Sequence, residues 1–143
     1  MTTIATDDDG DDQRPRVLVV TVERESFGIP VGQVREVVRA TGVHRVPGSP
    51  VVLLGIVNVR GAIVTVLDLQ AMLSGERAVT IGSVVLLEYG SGLIGLAVRS
   101  VRDVRALAPS GEAGDEAGDG PLVTLDAVAL CARHLHSADE RTP

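Results

Sequence analysis

The stretch that decides the fold reads LGIVNVRGAIVTVLDL and runs from Leu54 to Leu69. Aliphatic, mostly β-branched residues lie on both sides of Arg60-Gly61-Ala62. Runs of this kind, separated by a short glycine-containing break, predict two β-strands, Leu54–Val59 and Ile63–Leu67. Gly61 is expected to supply the positive φ that so tight a turn needs.

Strand patterns extend outward from this segment in both directions. Upstream, Arg16–Val22 and Phe27–Val31 predict a hairpin, because a polar turn separates two β-branched runs. Downstream, Val84–Tyr89 and Leu93–Val98 predict a second hairpin around Gly90-Ser91-Gly92. Many short strands with glycine punctuation favour a barrel or sandwich over alternating strands and helices.

Helical patterns are fewer. Residues 31–39 (VGQVREVVR) place valines at helical spacing and predict a short amphipathic helix with Glu36 on its polar face. Asp68 is expected to cap a short helix, and Asp126 a helix over Ala127–Leu135. Residues 98–107, with an aliphatic residue at every third position, predict either a short helix or an extended edge.

Short strands are also expected at Val43–Val46 and at Leu122–Leu125, the first ending at a proline.

Arg60 needs a partner, because a charged side chain among aliphatic strands is rarely left unpaired. Glu36 is the natural candidate if the valine-rich segment packs against the Arg60 turn. Two interpretations remain open at this point: the ion pair is purely structural, or it is part of a surface that binds another protein.

Composition limits the class of protein. The 143 residues suit one domain, and 45% are hydrophobic although there is one Phe, one Tyr and no Trp, so the core must be aliphatic. The net charge of −6 comes from residues 1–15 and 110–143, while 16–109 is mildly basic. A nucleic-acid surface would need a denser basic patch and stacking aromatics.

Domain boundaries follow from the same composition. We expect a disordered acidic arm at 1–15, a single domain at 16–136 with an acidic loop at 110–120, and a flexible tail at 137–143. The amino terminus is unlike a signal peptide, and no apolar run approaches the roughly 20 residues of a membrane span, so the expected location is the cytoplasm.

Enzyme and metal motifs are weak. Gly90–Gly95 (GSGLIG) has the dinucleotide-binding spacing, but a strand pattern continues where a helix would have to begin. The acidic run Asp7–Asp12 lacks the calcium-loop glycine and glutamate, and three histidines with the single Cys131 have no zinc spacing. No catalytic residue, cofactor or metal is therefore expected. A small nucleotide-binding enzyme using Gly90–Gly95 remains the alternative from a different class.

Several ordered motifs together resemble a known family. They are Val34-Arg35-Glu36-Val37, Val46-Pro47, the GIVNVRG of Gly55–Gly61, the VTVLDL that ends at Leu69, VVLLE at Val84–Glu88, and GLAVRSVRDV at Gly95–Val104. In this order, over about residues 16–107, they resemble the CheW-type coupling proteins of bacterial chemotaxis.

The resemblance implies a mainly β fold: two small SH3-like β-barrels packed on a shared hydrophobic seam, with short helices and a C-terminal helix. It implies a non-catalytic adaptor that joins the cytoplasmic tip of a chemoreceptor to the regulatory domain of a CheA-type histidine kinase. Carried over by matching position, Gly55 falls near the kinase-facing surface. The receptor-facing groove would be lined by Val34, Glu36, Arg60, Val84, Gly95, Val101 and Val104.

Three departures from the family pattern bear on these expectations. Thr65 replaces a usual proline, and Arg99 replaces a usual aspartate beside the groove. Between Leu107 and Leu122 the chain is shorter than the family by about one strand and its turn. The completeness of the second barrel is therefore left open. A diverged module for another two-component or motility system, or a self-associating scaffold, remains the alternative function.

Overall fold

The computed structural model describes residues 15–106 and 122–140, with side chains described as far as residue 135. The strands in these ranges are β1 (Arg16–Val22), β2 (Glu25–Pro30), β3 (Val34–Arg39), β4 (Val43–Arg45), β5 (Leu53–Val59), β6 (Ala62–Asp68), β7 (Ser83–Tyr89), β8 (Gly92–Val98), β9 (Ser100–Ala106) and β10 (Val123–Thr124). The α-helices are α1 (Leu69–Ser74) and α2 (Ala127–Glu140), and short 3-10 turns occupy Val31–Gln33 and Ala40–Gly42. The mainly β architecture expected from the sequence is confirmed.

Both predicted hairpins are confirmed. β1 pairs antiparallel with β2 from Val17↔Pro30 to Val22↔Glu25, and β7 pairs with β8 across the Gly90–Ser91 turn. Since β8 begins at Gly92 and continues through Gly95 as a strand, the GSGLIG motif forms part of a hairpin and begins no helix. The central pair, β5 and β6, is joined by Arg60-Gly61 as predicted.

The helix predicted over residues 31–39 is wrong. A single 3-10 turn, Val31–Gln33, leads into strand β3, which pairs antiparallel with β7. Three of the six residues in β3 are valines, whose branched Cβ restricts the side chain in a helix and suits a pleated sheet. A bulge between Val34 and Glu36 shifts the alternation of side chains, and this shift made the pattern resemble helical spacing.

Strands β3 to β8 form one six-stranded sheet with the order β3-β7-β8-β6-β5-β4. The two edge strands, β3 and β4, are consecutive in the chain and are joined only by the three-residue turn Ala40–Gly42. Edges that are this close along the chain require the sheet to curl into a barrel. Its interior holds a cluster of buried aliphatic side chains: Leu54, Val57, Val59, Val64, Val66, Val84, Leu86 and Ala97.

The remaining strands form a four-stranded sheet with the order β10-β2-β1-β9. β10 is only two residues long and pairs parallel to β2. This sheet is built from both ends of the described chain, and residues 107–121, which lie between β9 and β10, are outside the described residues. The six-stranded barrel has all its strands within one continuous stretch.

A shared hydrophobic core joins the two sheets, as expected. Leu18, Val20 and Ile29 of the four-stranded sheet belong to the same buried cluster as Val85 and Leu96 of the six-stranded sheet. β1 is buried on both faces, because Val17 and Val19 pack with Leu122 on its other side. Burial on both faces explains why β1 reads as a continuous apolar run.

The helix caps agree with the sequence. The carboxylate of Asp68 accepts a hydrogen bond from Ala71 N at the start of α1, and Asp126 accepts one from Ala129 N at the start of α2. α2 extends to Glu140, beyond the predicted end at Leu135, so residues 137–140 of the predicted tail belong to this helix.

Residues 100–106 form an extended edge strand, which confirms one of the two alternatives for that segment. Three predicted segments lie outside the described residues: the acidic arm except for Pro15, the acidic loop at 110–120, and residues 141–143 of the tail.

Candidate functional site

Two charged side chains are buried within the described ranges, Glu36 and Asp68. Asp68 accepts hydrogen bonds from two backbone amides, Ala71 N at 3.2 Å and Ala78 N at 2.9 Å, and serves the fold locally. Glu36 lies in β3 with 5% of its surface exposed, and its partner is a side chain far away in the sequence. A buried carboxylate needs such a partner, because removing a charge from water is costly.

That partner is Arg60, in the turn between β5 and β6. Arg60 and Gly61 both have positive φ, 51° and 89°, which is the arrangement of a two-residue type I′ hairpin turn. The Asn58 side chain accepts a hydrogen bond from Gly61 N at 2.8 Å and closes the turn. A left-handed conformation is uncommon for arginine and costs about 1–3 kcal/mol. The side chain of this turn residue reaches Glu36.

The two side chains form a bidentate ion pair. Arg60 Nη1 donates to Glu36 Oε2 at 3.3 Å, and Nη2 donates to Oε1. These hydrogen bonds lower the pKa of Glu36 below its ordinary value, although burial of the carboxyl opposes them. The same contact raises the pKa of Arg60. The expected pairing of Glu36 with Arg60 is thus present, and it joins the edge strand β3 to a turn that is not its neighbour in the sheet.

The pair is asymmetric in its exposure. The Arg60 side chain is 59% exposed, whereas that of Glu36 is 6% exposed. The carboxylate is therefore enclosed by the protein, while more than half of the Arg60 side chain remains exposed. A planar cation fixed in this way is accessible to an approaching acidic or carbonyl group.

Val84 and Gly95 lie beneath this surface, inside the six-stranded barrel. Val84 has no exposed surface and Gly95 is buried. A Cβ added at Gly95 would lie 2.8 Å from Val84 Cγ1 and 3.1 Å from Val66 Cγ2, so the two residues support each other. They can support a groove only from inside the barrel, because a partner could not touch the Val84 side chain.

Val34, Val101 and Val104 are placed around the shared core. Val34, at the start of β3, and Val101, in β9, are half-buried and pack against that core. Val104 is 38% exposed on the same strand as Val101. The seven residues expected to line a groove are thus divided: five belong to the six-stranded barrel and two to the edge of the other sheet.

Gly55 lies at a bulge in β5, opposite Arg45 of β4. A Cβ at this position would be 2.1 Å from the carbonyl oxygen of His44, so only glycine allows β4 to pack this closely. The expected kinase-facing residue is buried, and the exposed groups near it belong to β4 and the loop that follows, including Val46 at 39% exposure.

Two features of this region escaped the sequence analysis. Ile63, three residues after Arg60, is 63% exposed. Its exposure follows from alternation in β6, since Val64 and Val66 point into the barrel. The second feature is a pair of hydrogen bonds in which Gln33 donates to Asp126 and accepts from Val128 N. No local pattern could have indicated them, because the partners are more than 90 residues apart.

The comparison with known families bears directly on this geometry. The sequence model of the CheW-like domain matches residues 16–122, three quarters of the chain. The chain belongs to the CheW-like domain family. Within the described ranges, no helix is long and apolar enough to cross a membrane.

Two curated relatives are named as CheW proteins. The chain is 30% identical over 93 residues to the chemotaxis protein CheW of Klebsiella aerogenes, covering 63% of this chain and 55% of that protein. It is 29% identical over 82 residues to a probable chemotaxis protein CheW of Rhizobium etli, covering 56% and 53%. The chain thus spans about half the length of the curated relatives it matches.

A solved structure shows the fold of this CheW-like domain. The scaffolding protein TtCheW from Thermoanaerobacter tengcongensis superposes with a TM-score of 0.66 at 21% identity, covering 81% of this chain and 92% of that one. The likeness confirms the expected pair of SH3-like barrels on a shared core. The six-stranded barrel with its Glu36–Arg60 pair is one of them.

Proposed function

We propose that this CheW-like domain is a non-catalytic cytoplasmic adaptor that couples chemoreceptors to a CheA-type histidine kinase. The observation that carries the proposal is the Glu36–Arg60 ion pair, which holds a half-exposed guanidinium over an aliphatic barrel in a chain of this family. Both curated relatives are named as chemotaxis proteins, which supports the same pathway.

The proposed receptor-binding surface includes this ion pair. Val34, Arg60, Val101 and Val104 would contact the receptor, with Glu36 orienting Arg60 and with Val84 and Gly95 supporting the surface from inside the barrel. An amphipathic helix binds such a surface by placing aliphatic side chains on the valines, and its polar groups can accept hydrogen bonds from the guanidinium. The receptor's state would then pass to the kinase through fixed contacts, without chemistry in the adaptor.

The proposed kinase-facing surface lies near Gly55. Gly55 itself acts by letting β4 pack closely on β5. The exposed side chains of His44, Arg45 and Val46 are then the groups available to the kinase regulatory domain.

The first experiment measures binding of the full chain to the regulatory domain of the cognate kinase and to a receptor tip fragment. Arg60→Ala is expected to weaken receptor binding about tenfold, as removal of an interface anchor does. Arg35→Ala is the matched control, because Arg35 lies on β3, is also 59% exposed and also pairs with a glutamate, Glu88.

The control should leave binding unchanged. Equal losses in the two variants would assign the effect to general charge, and absence of wild-type binding at tens of micromolar would reject the coupling role.

A second candidate function is favoured by the four-stranded sheet, whose β10 has only two residues. A CheW-like domain whose second sheet ends in so short a strand, among the described residues, suits a diverged module of another two-component or motility system, or a self-associating scaffold. Sedimentation analysis and the identity of neighbouring genes separate these options. A monomer encoded beside receptor and kinase genes supports the coupling role.

A further inference from the structure

The start of α2 is joined to the start of β3 by one glutamine side chain. Gln33 Oε1 accepts a hydrogen bond from Val128 N at 3.1 Å, and Gln33 Nε2 donates to Asp126 Oδ1 at 2.8 Å. The same Asp126 oxygen accepts from Ala129 N at 3.1 Å. Both ends of the Gln33 amide are therefore used, and two of the amides left free at the start of a helix are satisfied.

Docking of α2 has other supports. Ala127 and Cys131 have no exposed surface and belong to the shared core. Leu125 N also donates to the Gly28 carbonyl at 2.8 Å and fixes the chain just before the helix. Asp126 caps the helix by itself through Ala129 N. The helix therefore does not need Gln33 to stay in place.

The six-stranded sheet holds the start of β3 on one side only. Gln33 ends the 3-10 turn that leads into β3, and the pairing of β3 with β7 is interrupted by the bulge between Val34 and Glu36. Glu36 follows Gln33 by three residues, on an edge strand. Regular ladder hydrogen bonds hold an edge strand on one side only, and a bulge weakens even that hold.

We propose that Gln33 is a positioning residue: it uses the docked C-terminal helix as an anchor for the start of β3 and so orients Glu36 toward Arg60. The C-terminal helix thereby supports the partner-binding surface without touching the partner. The effect on partner binding rests on the proposed function, whereas the effect on the ion pair is a property of the isolated protein.

The test uses Gln33→Met in the full chain. Methionine keeps the length of the side chain and removes both hydrogen bonds. Gln70→Met is the matched control, because Gln70 is a half-buried glutamine in α1. A second variant, Gln33→Glu, keeps an acceptor for Val128 N but loses the donor to Asp126, and it gives an independent result if the methionine variant folds poorly.

Two readouts distinguish positioning from simple helix capping. The first is solvent exchange of the Arg60 guanidinium protons by nuclear magnetic resonance, which reports on the ion pair. The second is the rate at which Cys131, the only cysteine, reacts with a disulfide reagent under native conditions. Burial raises the pKa of this thiol to about 12, so it reacts only when α2 detaches.

In Gln33→Met we expect exchange at Arg60 to accelerate at least fivefold while Cys131 reactivity stays within about twofold of wild type. Gln70→Met should change neither. Unchanged proton exchange at Arg60 would overturn the proposal. So would a Cys131 reaction rate that rises by the same factor as the Arg60 exchange rate, because Gln33 would then act as a helix cap.

Receptor binding is measured in the same variants, and Gln33→Met should weaken it by a factor similar to that for Arg60→Ala. If the wild type does not bind, the proposed function fails while the exchange experiment still decides the role of Gln33.

Discussion

Glu36 and Arg60 illustrate how one buried carboxylate can depend on one half-exposed cation. Burial alone would raise the pKa of Glu36, and the hydrogen bonds from Arg60 more than reverse that shift. A carboxyl group whose folded-state pKa lies below its unfolded value stabilises the fold fully above the unfolded pKa, here 4.5. That contribution is lost as the pH falls through the lower, folded-state pKa.

A pH-dependent stability difference follows at this residue. Arg60→Ala should be most destabilised relative to wild type near neutral pH, because it leaves the Glu36 charge buried without its partner. The difference should shrink as the pH falls, first because the unpaired Glu36 of the variant becomes protonated. The wild-type carboxylate is protonated at lower pH, as the pH passes through its lowered folded-state pKa. Urea unfolding at pH 7 and at pH 3.5 measures it.

The control for that measurement is the Glu36→Gln background, in which Arg60→Ala should have a nearly pH-independent effect. A difference between Arg60→Ala and wild type that stayed constant from pH 7 to 3.5 would show that Arg60 stabilises the turn and not the carboxylate.

At the scale of the elements, close approach of strands governs the six-stranded barrel. β8 lies between β7 and β6, and Gly95 occupies the position where Val84 and Val66 converge. A side chain at this position must displace at least one of the two valines, which has a cost because the core is closely packed.

We expect Gly95→Ala to lower the free energy of unfolding by about 1–3 kcal/mol through overpacking. The cost should be smaller in a Val84→Ala background, since the nearest atom, Val84 Cγ1, is then absent. A double-mutant cycle with urea unfolding measures this coupling. Strict additivity of the two substitutions would contradict the packing argument.

The elements also show what sequence patterns can and cannot predict. Hairpins and helix caps were predictable, because turn residues and capping side chains act within a few positions. β3 was not, since VREVVR carries a bulge that hides its two-residue period. The pairing of Glu36 with Arg60 could be anticipated, because a charged side chain among aliphatic strands is rarely left unpaired. The link from Gln33 to Asp126 could not, because it depends on tertiary packing.

At the scale of the whole molecule, the C-terminal segment completes both the four-stranded sheet and the shared core. Leu122, Ala127 and Cys131 are buried, and β10 covers the open edge of β2. Leu122 packs on Val17 and Val19 of β1, and Ala127 and Cys131 pack in the shared core, so this segment covers apolar surface of both sheets.

A chain ending at residue 121 should therefore expose the shared core. We expect it to bind the dye anilinonaphthalene sulfonate and to unfold at a lower urea concentration than the full chain. A chain ending at Glu140 is the control and should behave like the full chain. Failure of the shorter chain to bind the dye would indicate that the core closes without α2.

The arrangement of strands along the chain also has a consequence for biosynthesis. All six strands of the larger barrel lie between residues 34 and 98, whereas the four-stranded sheet needs β9 and β10 from the far end. A nascent chain can thus close the larger barrel while its carboxyl end is still in the ribosome, as domains generally fold in the order of synthesis. The β1–β2 hairpin is synthesised before the other strands, but its partners β9 and β10 are synthesised last. Its apolar faces therefore stay exposed longest, and we expect chaperones to bind this segment.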